Sequence, residues 1–340
     1  MYKVLLIGVG NAGLLYEFDP KRKKPASHYG GIKAFPGELH LSAVCDIDKD
    51  KGQFLKEKKV NVPYYVDYKK AIREIKPDII TIASWTKTHK DIFIYALENG
   101  VKGIVLEKPI ARNSEEGKEM VSKWEEYKIP VVVNHERRWD AKYILAKQII
   151  EREEIGEIKA IYGRVLLGSI PRAYQKLMLE LEGGGPLIHD GTHLIDLLLY
   201  FFEDFEIKDV YMEKEGLLET RVIALFFVKN RNIPIFIEIG GEREYFHFSI
   251  EIEGRKGKLI VGNGIKELYM AEESTLYSGF NDLKKVKFPL ERLGNNMTFD
   301  GPYFEILKAL KEKKQPFSNL MDGYKALRKI EEIYSFDFKK

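Results

Sequence analysis

Short apolar runs alternate with amphipathic stretches through the first part of the chain. Helix-period patterns lie at residues 49–58, 68–76, 90–99 and 113–127. Buried strands are predicted between them, at residues 2–9, 39–46, 64–65, 78–83, 103–106 and 131–133. Strands that alternate with helices in this way predict an α/β fold with a doubly wound parallel sheet. We assign residues 1–133 to this first domain.

The pattern changes after residue 134. An amphipathic helix at residues 141–152 and a long strand at residues 156–168 precede a series of strands with little helix between them. These strands are predicted at residues 208–213, 220–228, 233–239, 245–253 and 258–261, and helices at residues 303–313 and 324–334 close the chain. A run of strands predicts an α+β domain with a large, open, mostly antiparallel sheet over residues 134–340.

The pattern of one strand in this second domain predicts that subunits associate. Residues 221–228, RVIALFFV, are apolar on both faces, whereas a sheet with one solvated face alternates between apolar and polar positions. Because helices of the same subunit can cover only one of those faces, we expect a homo-oligomer, a dimer or a tetramer, built sheet to sheet.

Length and composition limit the kinds of partner that this protein is expected to have. A chain of 340 residues suits two domains, and a formal charge of +3 in a chain that is 31% charged indicates neither a nucleic-acid nor a membrane partner. The apolar start is too short for a membrane span. A single cysteine excludes an internal disulfide and fits a reducing compartment. We expect a soluble cytoplasmic protein with a small-molecule partner.

The first predicted strand ends in GVGNAG, which places Gly8, Gly10 and Gly13 at the G-x-G-x-x-G spacing. In a strand-turn-helix context, the first glycine permits a tight turn, the second admits a pyrophosphate, and the third allows close packing of the helix on the strand. The sequence therefore predicts a Rossmann domain in which this loop, with Asn11 and Ala12, binds a dinucleotide.

The second strand ends in Asp46, as recognition of the ribose 2′-hydroxyl requires. This carboxylate repels a 2′-phosphate and no arginine follows it, so NAD is favoured over NADP. Asp46 lies further from Gly13 than usual because residues 14–27 form an insertion with two prolines and the basic run KRKK. We expect this insertion to be a loop near the adenosine, with its lysines in solvent.

Polar residues follow the next strands at the carboxyl edge of the sheet, where ligands of open α/β folds bind. Ser84, Thr86 and His89 follow one strand, and we expect them to contact the cofactor, a role that Ser84 and Thr86 can combine with capping of the next helix. Glu107 and Lys108, with Pro109, follow the strand at residues 103–106. A lysine there is either an ordinary surface residue or a group held towards a bound nicotinamide.

The segment GGGPLIHDGTHLID, residues 183–196, combines a glycine-rich turn with an apolar helix. His189 and His193, four residues apart, are predicted on one helix face with Asp190 beside them. The residues alone leave three roles open for the histidines. They can form a proton-transfer pair, ligate a metal, or lie satisfied in the core.

GVGNAG, AVCD, the E-K-P turn and GGGPLIHDGTHLID, in this order and spacing, resemble the Gfo/Idh/MocA oxidoreductases. The resemblance covers nearly the whole chain, including YKALRKIEEIYS near its end. It implies an NAD(P)-binding Rossmann domain, and a second domain whose open sheet supports the substrate pocket and often the oligomer interface. It also implies that Lys108 lies beside nicotinamide and substrate and that His193 acts as acid or base on the substrate hydroxyl.

The chain departs from the family pattern at two places. The helix after the glycine-rich turn usually carries an aspartate four residues before the histidine, but His189 stands there and Asp190 is displaced by one residue. On a continuous helix, one residue is a rotation of about 100°, so Asp190 cannot simply replace the missing carboxylate. The insertion is the second departure, and it leaves His28 where many members have a histidine.

These observations predict hydride transfer between nicotinamide and a secondary alcohol of a sugar, cyclitol or related polyhydroxylated compound. Lys108, His193 and His189 are the expected catalytic residues. The expected substrate contacts are Asp190, Arg164 and Tyr174.

Three alternatives remain open. One is a glycosidase that oxidises its sugar transiently, and another is a non-catalytic nucleotide-sensing protein of the same fold. The third is zinc binding by His189 and His193, for which the sequence offers no evident third ligand, so no metal is expected.

Overall fold

The computed structural model describes residues 1–292 and 297–337, so residues 293–296 and 338–340 of the predicted second domain lie outside the described residues. The chain forms two compact units. The first comprises Met1–Glu136, Leu181–Gly183 and Met297–Leu327, and the second comprises the remaining segments Arg137–Glu180, Gly184–Asn296 and Arg328–Lys340. A single boundary at residue 134 therefore does not describe the two later segments of the first unit.

The first unit contains the predicted parallel sheet. Its strands are β1 (Tyr2–Ile7), β2 (Leu39–Cys45), β3 (Tyr64–Tyr65), β4 (Ile79–Ile82), β5 (Gly103–Leu106) and β6 (Val131–Val133). Their order is β3-β2-β1-β4-β5-β6, and every adjacent pair is parallel. The residues of β4, β5 and β6 are all buried, as continuous apolar strands require when helices cover both faces of a sheet. The fold class predicted from the sequence is confirmed.

Five helices belong to this part of the chain: α1 (His28–Lys33), α2 (Lys51–Glu57), α3 (Tyr68–Ile75), α4 (His89–Glu98) and α5 (Ser114–Tyr127). Before α1, the insertion at residues 14–27 holds a short 3₁₀ turn, Leu15–Phe18, and folds back on itself. Glu17 accepts hydrogen bonds from the Ala26 N–H and the Ser27 hydroxyl, and Ser27 caps α1 through the Gly30 N–H. The insertion thus interrupts the helix that normally follows a glycine-rich loop.

The next four helices follow β6. α6 (Ala141–Glu151) precedes the first strand of the second unit, and α7 (Arg172–Glu182), α8 (Pro186–His189) and α9 (Gly191–Phe202) follow that strand. The sequence pattern predicts no helix between residues 168 and 183. The structure instead places α7 over most of that segment.

The second unit is built on an eight-stranded sheet. Its strands are β7 (Ile158–Leu166), β8 (Phe205–Glu215), β9 (Leu218–Val228), β10 (Pro234–Gly240), β11 (His247–Gly254), β12 (Gly257–Gly262), β13 (Ile265–Glu273) and β14 (Asn281–Val286). The order is β14-β13-β12-β11-β7-β10-β9-β8, with β7 and β10 as the one parallel pair. The mostly antiparallel sheet is confirmed. β13 and β14 were not predicted.

The two faces of this sheet differ. On one face, Gly163 of β7 lies against Leu194 of α9, and Ile239 of β10 lies against Gly191. The other face carries Tyr211, Ile223 and Phe236, which are 57%, 37% and 42% exposed. The apolar pattern of residues 221–228 therefore corresponds to a helix-covered face and an apolar face that is open in the subunit.

The chain ends with α10 (Gly301–Glu312) and α11 (Leu320–Asp337). The sequence assigned both helices to the second domain. The structure places α10 in the first unit, where Tyr303 packs against Gly31 of α1 and Ile306 packs against Gly103 of β5. Among residues 1–292 and 297–337, no helix has the length and hydropathy that a membrane span needs.

Candidate functional site

The glycine-rich loop after β1 is packed at two glycines and open at the third. A Cβ added to Gly8 would lie 2.3 Å from the Ala83 carbonyl oxygen, and one added to Gly13 would lie 2.0 Å from the Gly8 carbonyl oxygen. A Cβ added to Gly10 would meet no described atom within 4 Å. The fold therefore requires Gly8 and Gly13, whereas the absent side chain of Gly10 leaves space that a dinucleotide phosphate fits.

Asp46 lies beside this loop at the carboxyl end of β2. Its Oδ2 accepts hydrogen bonds from the Val9 N–H at 2.9 Å and from Lys51 Nζ at 2.8 Å, and its Oδ1 accepts from the Asp48 N–H. The carboxylate is thus fixed against the loop, as ribose recognition requires. No arginine follows Asp46 in the sequence, and the basic group beside its carboxylate is Lys51, five residues later.

The residues after β4 hold the carboxyl edge of the sheet together. His89 is 1% exposed, with Nδ1 3.0 Å from the Pro109 carbonyl oxygen and Nε2 3.0 Å from that of Ser84. Burial lowers the pKa of His89 against the opposing effect of the hydrogen bond to Ser84. A neutral imidazole carries one N–H and therefore donates to one of these two carbonyl oxygens at a time. Its ring lies between the loop after β4 and the turn after β5 and contacts both.

The hydroxyls of Ser84 and Thr86 are also engaged within the protein. Ser84 Oγ lies 2.7 Å from Thr88 Oγ1, and the buried Thr86 donates to the carboxylate of Glu182. Neither side chain caps α4, because the helix begins at His89 with Thr88 in the N-cap position and no side-chain hydrogen bond there. Thr86 is brought to the edge of the sheet, but its hydroxyl faces a protein carboxylate.

The E-K-P turn, Glu107 to Pro109, is anchored by a buried polar network. Glu107 Oε1 accepts hydrogen bonds from His28 Nε2 at 2.8 Å and Asn134 Nδ2 at 2.6 Å, and Oε2 accepts from the Lys108 N–H at 3.3 Å. The hydroxyl of Tyr303 lies 3.0 Å from His28 Nδ1 and 2.9 Å from Thr81 Oγ1. This network fixes the backbone on which the half-buried Lys108 stands.

The network also sets the charge of Glu107. Burial acts to raise the pKa of this carboxyl, but the hydrogen bond and charge of His28, with Lys108 and Asn134, bring it to about 2. Burial raises the pKa of Tyr303 far above its usual value. Glu107 is therefore a carboxylate and Tyr303 a phenol at neutral pH. Tyr303 was missed because it lies far along the chain on a helix assigned to the other domain.

In the second unit, the histidine segment differs from the predicted single helix. α8 ends at His189, Asp190 is the N-cap of α9, and His193 lies in the first turn of α9. The break brings His189 Nδ1 to 3.1 Å from Asp190 Oδ2. Both of these side chains are partly exposed, whereas His193 is 8% exposed. Because α8 ends at His189 and α9 begins after Asp190, the rotation of about 100° per residue on a continuous helix does not fix where the Asp190 carboxylate lies relative to His189.

A buried ion pair anchors α9 one turn after His193. Arg138 Nε and Nη2 donate to the two carboxylate oxygens of Asp196 at 2.9 and 2.7 Å, with side chains 4% and 1% exposed. Bidentate pairs of this kind fix geometry as well as charge. Neither residue was predicted, although Arg138 belongs to the conspicuous segment NHERRWD.

Arg164 is not placed with the histidines. Arg164 pairs with Glu238 and Ser249 across the sheet and alternates with Gly163, which faces α9. Its Cβ therefore lies on the open face of the sheet. Tyr174 lies on α7 and is 57% exposed. Within the described residues, no group of three or more His, Cys, Asp or Glu side chains has the arrangement of a metal site.

Two family models match this chain. Residues 2–135 match the NAD-binding Rossmann fold of the Gfo/Idh/MocA oxidoreductase family, and residues 147–339 match the C-terminal alpha/beta domain of that family. The N-terminal match agrees with the open glycine loop and with Asp46 beside it.

Individual relatives are similar over part of their length. The chain is 27% identical to D-glucoside 3-dehydrogenase of Escherichia coli (strain K12) over 61% of this chain and 56% of that protein. It is 26% identical to inositol 2-dehydrogenase of Salmonella paratyphi B over 64% of this chain and 65% of that protein. The chain thus spans less than two thirds of either dehydrogenase.

A solved structure of levoglucosan dehydrogenase in complex with NADH and L-sorbose superposes with a TM-score of 0.81 at 19% identity, covering 99% of this chain and 97% of that one. That likeness supports the fold. Because the two family models together cover most of the sequence, the chain belongs to the Gfo/Idh/MocA oxidoreductase family, with an N-terminal NAD-binding Rossmann domain.

Proposed function

We propose that this protein is an NAD-dependent dehydrogenase that acts on a secondary alcohol of a sugar, cyclitol or related polyhydroxylated compound. The observation that carries the proposal is the glycine loop, in which Gly10 alone is open and Asp46 is fixed beside it. When bound, NAD supplies the hydride acceptor at C4 of the nicotinamide. Gly8, Gly10 and Gly13, with Asn11 and Ala12, hold its pyrophosphate, and Asp46 accepts from the ribose.

Lys108 is the proposed electrostatic catalyst. Its ammonium group donates a hydrogen bond to the substrate oxygen and stabilises the negative charge that develops there. The fixed turn beneath it supports this role, since Glu107 is held by His28 and Asn134 and in turn accepts the Lys108 N–H. Preorganised donors contribute most when the surrounding structure already holds them in place.

His193 is the proposed acid or base that takes the hydroxyl proton, because histidine is the side chain that most often transfers protons in general acid–base catalysis. His189, with its ring 3.1 Å from the Asp190 carboxylate, is proposed to orient a neighbouring hydroxyl. The pair offers both an imidazole and a carboxylate to a polyol. Relatives named for an inositol and a glucoside fit this substrate class.

We also propose a cytoplasmic homo-oligomer joined through the open sheet face. Tyr211, Ile223 and Phe236 form an exposed apolar patch there, and such patches mark association surfaces. Light scattering of the wild-type protein and Ile223→Lys tests the interface. A monomeric mass for the wild-type protein would refute the proposed homo-oligomer.

The proposed cytoplasmic location rests on the single cysteine. Cys45 is buried, and burial together with Asp46 and Asp67 raises its pKa to about 12, so it is an inert thiol suited to a reducing compartment.

The test of the activity is a screen of myo-inositol, methyl D-glucosides and levoglucosan for NADH formation, with NAD and NADP in parallel. We expect NADH from at least one polyol and a preference for NAD. Release of sugar from a glycoside without accumulation of NADH would contradict simple dehydrogenation and indicate transient oxidation. NAD binding without turnover of any compound would contradict catalysis.

A further inference from the structure

The start of α8 is held by two side chains from distant parts of the second unit. Glu219, on β9, is 4% exposed, and its carboxylate accepts hydrogen bonds from the Gly185 N–H at 3.3 Å and the Leu187 N–H at 3.0 Å. Tyr334, on α11, donates its hydroxyl to Glu219 Oε1 at 2.8 Å. We call Glu219 and Tyr334 the α8 clamp.

The clamp supplies the hydrogen-bond acceptor that a side chain at the N-cap supplies in other helices. The first N–H groups of a helix have no partner within the helix, and at the N-cap of α8 stands Gly185, which has no side chain to supply an acceptor. The Glu219 carboxylate takes that role from outside, and its negative charge suits a helix N-terminus. A helix of a single turn needs such support, because the first turn is the costly step of helix formation.

The glycine-rich turn is shaped to this clamp. A Cβ added to Gly184 would lie 2.6 Å from the Tyr334 hydroxyl oxygen, and one added to Gly185 would lie 2.9 Å from the Glu219 carbonyl oxygen. Side chains at either position would therefore push the turn away from the clamp. The structure thus accounts for two of the three consecutive glycines that open GGGPLIHDGTHLID.

A chain of backbone hydrogen bonds leads from the clamp to the histidines. The Gly185 carbonyl accepts from the His189 N–H at 3.1 Å, and the Pro186 carbonyl accepts from the Asp190 N–H at 3.1 Å. The Asp190 carbonyl then accepts from the His193 N–H at 3.2 Å. The position of the clamped turn therefore sets the positions of these three residues.

We propose that Glu219 and Tyr334 are positioning residues, which fix the one-turn helix α8 and thereby set the geometry of His189, Asp190 and His193. The inference rests on the proposed function, because it matters for turnover only if those residues act on the substrate. The titration of the two groups agrees with their burial. Burial raises the pKa of Glu219, and burial together with the Glu219 charge raises that of Tyr334 well above its usual value.

The variants are Glu219→Gln and Tyr334→Phe in the full-length protein. Gln keeps the size of the side chain but replaces one acceptor oxygen by a donor, and Phe keeps the ring but removes the hydroxyl. Lys329→Met is the matched control. Lys329 is also on α11 and nearly buried, but it donates to the Phe205 carbonyl and Glu332, away from the glycine-rich turn.

Hydrogen exchange of the ligand-free proteins is the first measurement. Loss of a clamp hydrogen bond should speed exchange of the amides of Gly185 and residues 187–190 by about tenfold in Glu219→Gln, with a smaller effect in Tyr334→Phe. The control should leave these amides unchanged. Unchanged exchange in both clamp variants, or equal acceleration in the control, would overturn the proposal.

Steady-state kinetics is the second measurement, with the polyol that forms NADH fastest in the screen. We expect kcat to fall about 10- to 100-fold in Glu219→Gln while the Kd for NADH stays within about twofold, since misplacement of a catalytic group costs rate rather than cofactor affinity. The double variant should lose little more than Glu219→Gln alone, because the two groups act as one unit.

A parallel His193→Ala variant separates the two claims. If its turnover is unchanged, the proposed role of His193 fails. If its turnover is lost while that of Glu219→Gln and Tyr334→Phe is unchanged, the role of His193 stands and the clamp proposal is overturned.

Discussion

Replacing Glu107 by Gln tests the buried network under the E-K-P turn. In the folded protein the pKa of Glu107 is about 2, compared with an ordinary value of 4.5. A pKa lowered on folding means that the native state binds this proton less tightly than the unfolded chain does. The charged carboxylate therefore stabilises the fold above about pH 4.5, and this contribution is lost as the pH falls towards 2.

The expected magnitude follows from that difference. About two and a half pKa units, at about 1.36 kcal/mol each, correspond to roughly 3 kcal/mol of unfolding free energy. Loss of one partner of a buried pair costs about 3–5 kcal/mol in general, which agrees in size. Glu107→Gln should thus destabilise the protein by about 3 kcal/mol near neutral pH and by clearly less near pH 3.

Urea denaturation of both proteins at several pH values measures the effect. The control is Glu119→Gln, which removes a partly exposed partner of Lys90 and should cost less than about 1 kcal/mol at every pH. A Glu107→Gln penalty that is the same at neutral and acidic pH, or no larger than that of Glu119→Gln, would refute the reasoning.

Three further predictions follow from the geometry. Gly10→Ala should fold normally and weaken NADH binding, whereas Gly13→Ala should lower the melting temperature, because only the Cβ added at Gly13 meets a protein atom, at 2.0 Å. Thermal melts and NADH titrations compare the two variants, and equal melting temperatures would count against the roles assigned to the two glycines. Asp46→Ala should lower the ratio of kcat/KM for NAD to that for NADP by at least about tenfold, and an unchanged ratio would remove Asp46 from ribose recognition. Asp196→Asn should lower the free energy of unfolding by about 3–5 kcal/mol, whereas the control Glu206→Gln, in an exposed ion pair, should lower it by less than about 1 kcal/mol. Urea titration measures both losses, and equal values would show that the ion pair of Asp196 with Arg138 does not anchor α9.

The sequence predicts the repeating parts of this fold well. Continuous apolar runs such as those of β4 and β5 occur where helices cover both sheet faces, so their composition alone identifies buried strands. β13 and β14 carry mainly charged or exposed residues at the edge of the second sheet, and the hydrophobic pattern gives little sign of them. α7 was missed although its apolar residues Ala173, Leu177 and Leu181 recur at helical spacing.

In the candidate site, too, the sequence predicts some residues and not others. Local motifs identify Gly10, Asp46 and Lys108, because each follows a strand end within a few residues. Other parts of the site are held by contacts between residues far apart in the sequence. Tyr303 reaches His28, in the network that holds the E-K-P turn, across 275 residues. Tyr334 reaches Glu219, at the start of α8, across 115 residues. No local pattern encodes such contacts. The break at Asp190 was also hidden, because two short helices and one long helix share the same periodicity.

We propose that Lys108 and His193 carry the chemistry of an NAD-dependent polyol dehydrogenase. The rate of NADH formation by Lys108→Ala and His193→Ala, measured beside their NADH affinity, tests this proposal. We predict that each variant loses at least about 100-fold in kcat. The Kd for NADH should stay within about threefold, because the pyrophosphate and ribose contacts are untouched. Turnover equal to wild type in both variants would contradict the account.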